Sequence, residues 1–333
     1  MTIRVLNKED VSAALSHKAC IDGLRGAMMS VSAGRAVLPL RPTMMVPQTQ
    51  GKLVLMPGYL DPGSAPEDRS FGVKIVSKFP REKNDPNGTH VGMVVLFDAL
   101  AGLPLALMDG GRLTAIRTAS ASALATNTLA RKDAKSVLFM GHGEEAEHHL
   151  HALRAVRQLE NLMVWGRSAE RAQAFIDKMQ SAAPGLPMRV VEDAREAAGQ
   201  ADIICTLTSA PTPIFKGAWL KPGTHINMVG AAMASSAEVD SETVTRSRWY
   251  TDYKPSLDAQ GGEWINAKEA GLVTDSHLVG EIGAVLCGDA PGRGSDDEIT
   301  AYKSLGVTAQ DLCAAQIANA AAQAANIGQI VEW

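Results

Sequence analysis

Three cations in this sequence sit in settings that ask for an anion. Arg117 is the single charge of residues 113–129, LTAIRTASASALATNTL, where the rest is uncharged and mostly small. A guanidinium there presents a rigid fork that grips a carboxylate or phosphate at two points. No acid lies in the same segment, so a bound anion is expected as its partner ahead of a structural ion pair. Lys74 lies in FGVKIVS, between Val73 and Ile75. Side chains alternate along a strand, so Lys74 points away from both and either faces water or lines a cleft. Arg41 lies in residues 38–48, which Pro39, Pro42 and Pro47 keep extended and interrupted.

Residues 136–150, SVLFMGHGEEAEHHL, carry a different chemistry. Residues 137–140 are a short apolar run, of strand length and too short for a helix. Gly141-His142-Gly143 follows, and a helix-favouring segment begins at Glu144. Strand, glycine turn and helix together are the setting in which G-x-G binds a dinucleotide pyrophosphate. Gly141 turns the chain tightly. Gly143 lets the backbone lie against phosphate, and the helix aims its N–H groups and positive dipole end there. Ala146 completes G-x-G-x-x-A. The alternative is an ordinary turn of another α/β domain. Glu144, Glu145 and Glu147 suit the helix dipole but not an anion, and are expected to point sideways into solvent. His148 and His151 share a face beside His149. No nearby carboxylate or cysteine completes a metal site, so a solvated helix face is expected and no metal.

Two kinds of structure must position these residues. An early strand at 3–6 precedes an Asn7/Asp10 capping box, which opens a helix to about Ser32. Strands are expected at 52–56, 71–76, 91–97 and 103–108, without βαβ alternation. From Ser136 a βαβ rhythm sets in, with later strands at 161–165, 188–191, 201–205, 225–229 and 249–252. The strand at 161–165 ends in Gly166-Arg167-Ser168, with Ser168 an N-cap. An acid at that place would bind a ribose 2′-hydroxyl and repel a 2′-phosphate. Arg167 stands there instead, favouring NADP(H) or tolerance of both cofactors; stacking on adenine is the alternative. The hydroxyls of Thr206 and Thr208 follow the strand at 201–205, at the end of the sheet where ligands bind. Residues 288–297 read as a plain loop. Thr308 to Asp311 reads as another capping box, opening an alanine-rich helix through Ile327 that Gly328 closes. That helix could pack back on the N-terminal strands and make the first domain discontinuous.

Composition narrows the classes. A net charge of -4 with no basic tract argues against nucleic acid. No run of about 18 apolar residues predicts a membrane span, and the first residues carry no signal-peptide pattern. The length of 333 residues suits two domains. Cys20, Cys205, Cys287 and Cys313 match no metal or redox spacing and are expected as buried thiols in a reducing cytoplasm.

Taken together, several of these stretches resemble the ornithine cyclodeaminase/mu-crystallin family. They are FGVKIVS, HVGMVVLFDALAGLPLALMD, LTAIRTASASALA, GHGEEAEHH, THINMVGA and GRGSDDEITAYKSLGVTAQDL. The resemblance covers nearly the whole chain. It implies an α/β fold: a Rossmann dinucleotide-binding domain, residues 116–307, plus a strand-rich α+β domain for substrate and dimerisation. That second domain comprises residues 1–115 and 308–333. It implies a homodimer and hydride transfer at the Cα of a small amino or imino acid. By position, Arg41, Lys74 and Arg117 match the holders of the substrate carboxylate, with Lys74 and Arg117 catalytic. Met56 and His90 complete the expected substrate site, with Thr89 beside His90. The expected cofactor site is Arg117, Thr118, Gly141, His142, Gly143, Glu144, Glu145, Ala146, Arg167, Ser168, Thr206, Thr208, Val229, Gly230 and Ser304, for NADPH or NADH.

Two departures matter. Ornithine cyclodeaminases carry an acid soon after the Val-Gly of the fifth strand, where this chain has Ala232. They carry another in the strand before Lys74, where this chain has Met56. A cationic diamine would lose its partners there, and burying an unpaired ammonium costs several kcal/mol. The expectation is therefore a reductase of small 2-imino acids. Open-chain candidates are iminosuccinate and iminopropionate; cyclic ones are pyrroline- and piperideine-2-carboxylate. Lys74 either protonates or polarises the imine or only clamps the carboxylate. The alternatives are an ornithine cyclodeaminase, or a mu-crystallin-like binding protein gated by cofactor.

Overall fold

The computed structural model describes residues 2–80 and 91–332. His90 and Thr89 lie outside them. The chain divides into two compact units, residues 1–117 with 306–333, and residues 118–305. The helix Gly110–Leu129 runs through the boundary.

The first unit is built on an eight-stranded sheet. From one edge the order is Gln329–Glu332, Thr2–Leu6, Pro104–Asp109, Val91–Asp98, Ser70–Lys78, Lys52–Leu60 and Ala36–Val37, with Thr43–Met45 also paired to Lys52–Leu60. Only the pairing of Thr2–Leu6 with Pro104–Asp109 is parallel. The last helix, Thr308–Ala325, packs on this sheet and on the helix His17–Ser32. Close approach needs small residues on both sides. A Cβ on Gly72 would stand 3.0 Å from Leu312, and one on Gly58 2.9 Å from Thr308.

The face under the helix is the buried one, and Lys74 is on it. Register sets Lys74 opposite Met56 on one side and Val94 on the other. Phe71, Val73 and Ile75 occupy the opposite, half-buried face.

Several local expectations change. The helix opened by Asn7 ends at Ala14, and Ser16 caps a second one, His17–Ser32, so the expected single helix is two. The last helix has Val307 at its N-cap with no side-chain bond. Thr308 to Asp311 is therefore no capping box, and Asp311 is used elsewhere. Asn326, in the left-handed conformation, ends that helix before Gly328, and the strand Gln329–Glu332 follows.

The second unit is a parallel eight-stranded Rossmann sheet. Its order is Met188–Val190, Asn161–Trp165, Ser136–Met140, Ile203–Thr206, His225–Met228, Thr300–Lys303, Arg248–Thr251 and Leu278–Glu281. Sequence periodicity missed two of these strands. Thr300–Lys303, TAYK, slots between the strands at 225 and 248, and its composition hides it, because Thr300 and Lys303 are fully buried polar residues. Cys20, Cys205 and Cys313 are buried, but Cys287 is exposed, against expectation; none of the four forms a disulfide.

Candidate active site

In the first unit, Lys74 and Arg117 are both buried and share one acid. Lys74 Nζ donates to Asp311 Oδ1 at 3.0 Å and to Thr114 Oγ1 at 3.3 Å. Arg117 Nε donates to the same Asp311 Oδ1 at 2.9 Å, and its Nη1 to Gln310 Oε1 at 3.1 Å. Arg41 Nη2 donates to the Gly306 carbonyl at 2.8 Å. Gly306 in turn lies against Arg117: a Cβ there would stand 2.6 Å from Nη1. Arg41, Lys74, Met56 and Arg117 are thus brought together. The expected bound anion is not Arg117's first partner; Asp311 supplies a structural ion pair from the far end of the chain.

Burial, then the neighbouring Arg117, depresses the Lys74 ammonium to about 7, although Asp311 opposes the fall. Arg41 adds to the depression. Asp311 is held below the ordinary carboxylate range because Arg117 and Lys74 outweigh its burial. Lys74 can therefore gain or lose a proton near neutrality, as a general acid must. Two cations against one carboxylate leave a net positive charge, which suits an anionic ligand.

In the second unit, Gly141 is buried with φ +122°, and a Cβ there would stand 2.8 Å from the Leu207 carbonyl. No other residue takes that conformation without strain. Gly143 is the N-cap of the helix Glu144–Arg154, no side chain caps it, and its would-be Cβ meets nothing within 4 Å. Ala146 is buried beneath. An open, uncapped helix N-terminus behind a glycine turn fits a dinucleotide pyrophosphate. His142 packs its ring on Gly166, and Glu144 is exposed beside half-buried Glu145. Ser168 caps the next helix, accepting from Arg171 N at 3.3 Å, and Arg167 is exposed. Thr118 is buried one residue after Arg117.

The expected solvated face of His148 and His151 holds only at His151, which is exposed. His148 and His149 are buried, and His149 bonds the Glu145 carbonyl at 2.7 Å and Ser122 Oγ at 3.0 Å. Glu147 pairs with Lys178. Among the described residues no three His, Cys, Asp or Glu side chains gather as metal ligands.

The family model for ornithine cyclodeaminase/mu-crystallin matches residues 1–326. A Δ1-pyrroline-2-carboxylate reductase of Bacillus cereus is 34% identical, over 92% of this chain and 93% of its own. This chain belongs to the ornithine cyclodeaminase/mu-crystallin family. Among solved structures, the Δ1-pyrroline-2-carboxylate reductase of Thermococcus litoralis, in complex with NADH and L-proline, has TM-score 0.92 and 33% identity. It matches over 98% of this chain and 99% of its own. An archaeal alanine dehydrogenase dimer with bound NAD has TM-score 0.91 and 27% identity, over the full length of both.

In this family member the strand ends expected to line the cofactor cleft depend on an acid that sequence reading missed. Glu238, fully buried, accepts from Thr206 Oγ1 at 2.8 Å, Thr208 N at 2.6 Å and Thr208 Oγ1 at 2.7 Å. It also accepts from Gly230 N at 2.7 Å and Ala231 N at 3.3 Å. Its own N–H donates to Glu263 Oε1, which also receives Lys303 Nζ at 3.0 Å. The threonine hydroxyls are therefore turned toward Glu238. Val229 N donates to the Thr206 carbonyl at 3.1 Å, and Ser304 Oγ is buried without a protein partner. Burial pushes the Glu238 carboxyl up, against the pull of Lys303 and of its donors.

Glu238 lies in a small-residue loop with no local pattern to mark it. Asp311 was visible but assigned to a cap; the clue was that two buried cations must draw an acid from somewhere. Replacing Glu238 by Gln tests the hub without changing its shape. Each carboxylate oxygen faces a backbone N–H, so the amide group must point a donor at a donor. We expect a loss of about 1–3 kcal/mol, read as a fall in Tm of roughly 3–10 °C. An unchanged melting curve would mean the carboxylate does not hold the strand ends.

Proposed function

We propose that this protein reduces small 2-imino acids with NAD(P)H and gives L-amino acids. It is an NAD(P)-dependent oxidoreductase acting on CH–NH2 or C=N groups. The observation that carries the finer reading is the buried Lys74–Arg117 pair, which faces Met56 across the sheet where cyclodeaminases have an acid. Ala232, half-buried against the core of the second unit, stands where the other cyclodeaminase acid would be. An anionic imino acid suits such a site, and a diamine does not. The relative solved with NADH and L-proline supports a cyclic substrate of that size.

In this reading Arg117, Arg41 and Lys74 bind the carboxylate and orient the imine carbon, and positioning supplies much of the rate. Gly141, Gly143 and the uncapped helix start would hold the pyrophosphate. A reduced nicotinamide, when bound, would supply the hydride for the imine carbon. Lys74 supplies the proton that keeps the nitrogen iminium, so that hydride addition turns C=N into CH–NH. Incubation with Δ1-pyrroline-2-carboxylate or Δ1-piperideine-2-carboxylate and NADH or NADPH should consume one cofactor per amino acid formed. Ornithine with catalytic NAD+ should give little proline. Rapid proline formation without net reduced cofactor would restore the cyclodeaminase. Flat traces across the imino acids with tight cofactor binding would favour the binding protein.

Cofactor preference rests on Arg167, exposed after the strand Asn161–Trp165 where an acid would select NAD. Arg171 lies near enough to His142 to lower its pKa, after the larger effect of burial. Arg167→Ala should weaken NADPH binding about tenfold while changing NADH little, because a phosphate contact is charge-assisted. Equal loss for both cofactors in a fluorescence titration would point to adenine stacking instead.

The homodimer is part of the same reading. The sheet face opposite Lys74 carries Phe71, Val73, Ile75, Leu55, Val95 and Phe97, half-buried, with Met93 exposed beside them. A contiguous apolar face of that kind suits burial against a second copy. The alanine dehydrogenase relative is described as a dimer. Light scattering should give the mass of two chains, and a monomer at micromolar concentration would remove the dimer. A cytoplasmic location agrees with four cysteines that form no disulfide.

A further inference from the structure

The last helix lies far from Lys74 and Arg117 in sequence, yet it puts one oxygen between them. Asp311 Oδ1 receives Lys74 Nζ and Arg117 Nε, from residues 237 and 194 positions away. The acid is fully buried, and both cations are nearly so. We propose that Asp311 is a positioning residue for the reaction: its shared oxygen lets two cations occupy one buried site and keeps Lys74 able to hold a proton. This rests on the reading of Lys74 as the proton donor.

The charges around Lys74 come from three elements. Arg117, on the helix Gly110–Leu129, and Arg41, in the segment before Thr43–Met45, both disfavour its ammonium. Asp311, on Thr308–Ala325, opposes them by charge and by hydrogen bond. Thr114 adds a neutral oxygen at 3.3 Å. Burial alone disfavours the charged amine strongly, and two cations add to that. Asp311 is the acid that opposes them. Without it Lys74 would lose its proton well below neutrality and would have none to give.

The same oxygen fixes Arg117. Its Nε is held by Asp311 and its Nη1 by Gln310, while Gly306 closes on the guanidinium. Asp311 and Gln310 therefore fix the plane of the guanidinium through Nε and Nη1. An arginine already held in one orientation loses less freedom when it binds a carboxylate.

The test uses Asp311→Asn in the full-length protein. The 15N resonance of Lys74 Nζ, assigned with Lys74→Arg, is followed against pH without substrate. The wild type should titrate near 7, and the variant at least about one unit lower. The descending limb of kcat/KM against pH should move the same way, with kcat/KM at pH 7 reduced at least about 30-fold. The substrate's own titration is common to both proteins, so the shift belongs to the enzyme. Asp311→Glu keeps the charge and moves the oxygen; its titration should stay near the wild-type value while kcat/KM falls. A merely structural role would lower Tm and leave the titration in place, and that result overturns the proposal. Should Asp311→Asn not fold, Asp311→Asn with Lys74→Met restores the net charge of the triad and should recover a folded protein. Failure of that pair to fold would overturn the counter-charge argument. Absence of turnover by the wild type on any imino acid would sink the proposed reaction, whereas an unmoved Lys74 titration sinks this inference alone.

Discussion

A single carboxylate oxygen, on Asp311, is the interaction on which the first unit turns. It joins a strand lysine, a helix arginine and the last helix at one buried point. An ammonium and a guanidinium carried out of water are costly, and their mutual repulsion adds to the cost. The acid must be equally buried to offset this, so its helix must lie close on the sheet. That explains the glycines at 58 and 72 under the helix, and the alanines along it. It also explains why the sheet face beneath is neither wholly apolar nor wet. The fold of this unit and the electrostatics of its site are one problem with one solution.

The second unit meets buried charge the other way round. Glu238 and Glu263 are fully or almost fully buried; Glu263 receives the Lys303 ammonium, while Glu238 feels only its charge. Backbone N–H groups and threonine hydroxyls make up the difference on Glu238, as they must when acids outnumber cations in a dry interior. The result is rigid loops at the ends of Ile203–Thr206 and His225–Met228. In the first unit the imbalance is positive and is left for a ligand to meet. In the second it is negative and is met by the protein's own backbone.

These contrasts decide what could be read from the chain. Lys74 and Arg117 were legible because a charge among small and apolar residues is locally odd. The glycine turn was legible because strand, turn and helix are contiguous. Asp311 was not, since three residues after a threonine at a helix start it satisfied a local rule that the helix does not use. Thr300–Lys303 escaped because a strand buried on all sides usually advertises itself by apolar residues, and this one buries a lysine and a threonine. His148 was assigned to a solvated face with His151, and nothing in a helical pattern shows that this side of the helix, where His149 meets Ser122, is buried. In each miss the deciding partner lies beyond the local window, from 27 to 237 positions away. Propensity and periodicity do not reach that far.

The strand Gln329–Glu332 pairs antiparallel with Thr2–Leu6, so the first unit joins segments more than 300 residues apart. During synthesis, the ribosome releases residues 2–117 long before the helix that covers their sheet exists. The contiguous unit, residues 118–305, is complete first and can fold as translated. Until Thr308–Ala325 emerges, the face bearing Lys74 and Val94 has no cover, and the two cations have no shared acid. The nascent chain must therefore carry an unfinished sheet until residue 311 has followed. Its site becomes electrostatically whole only then.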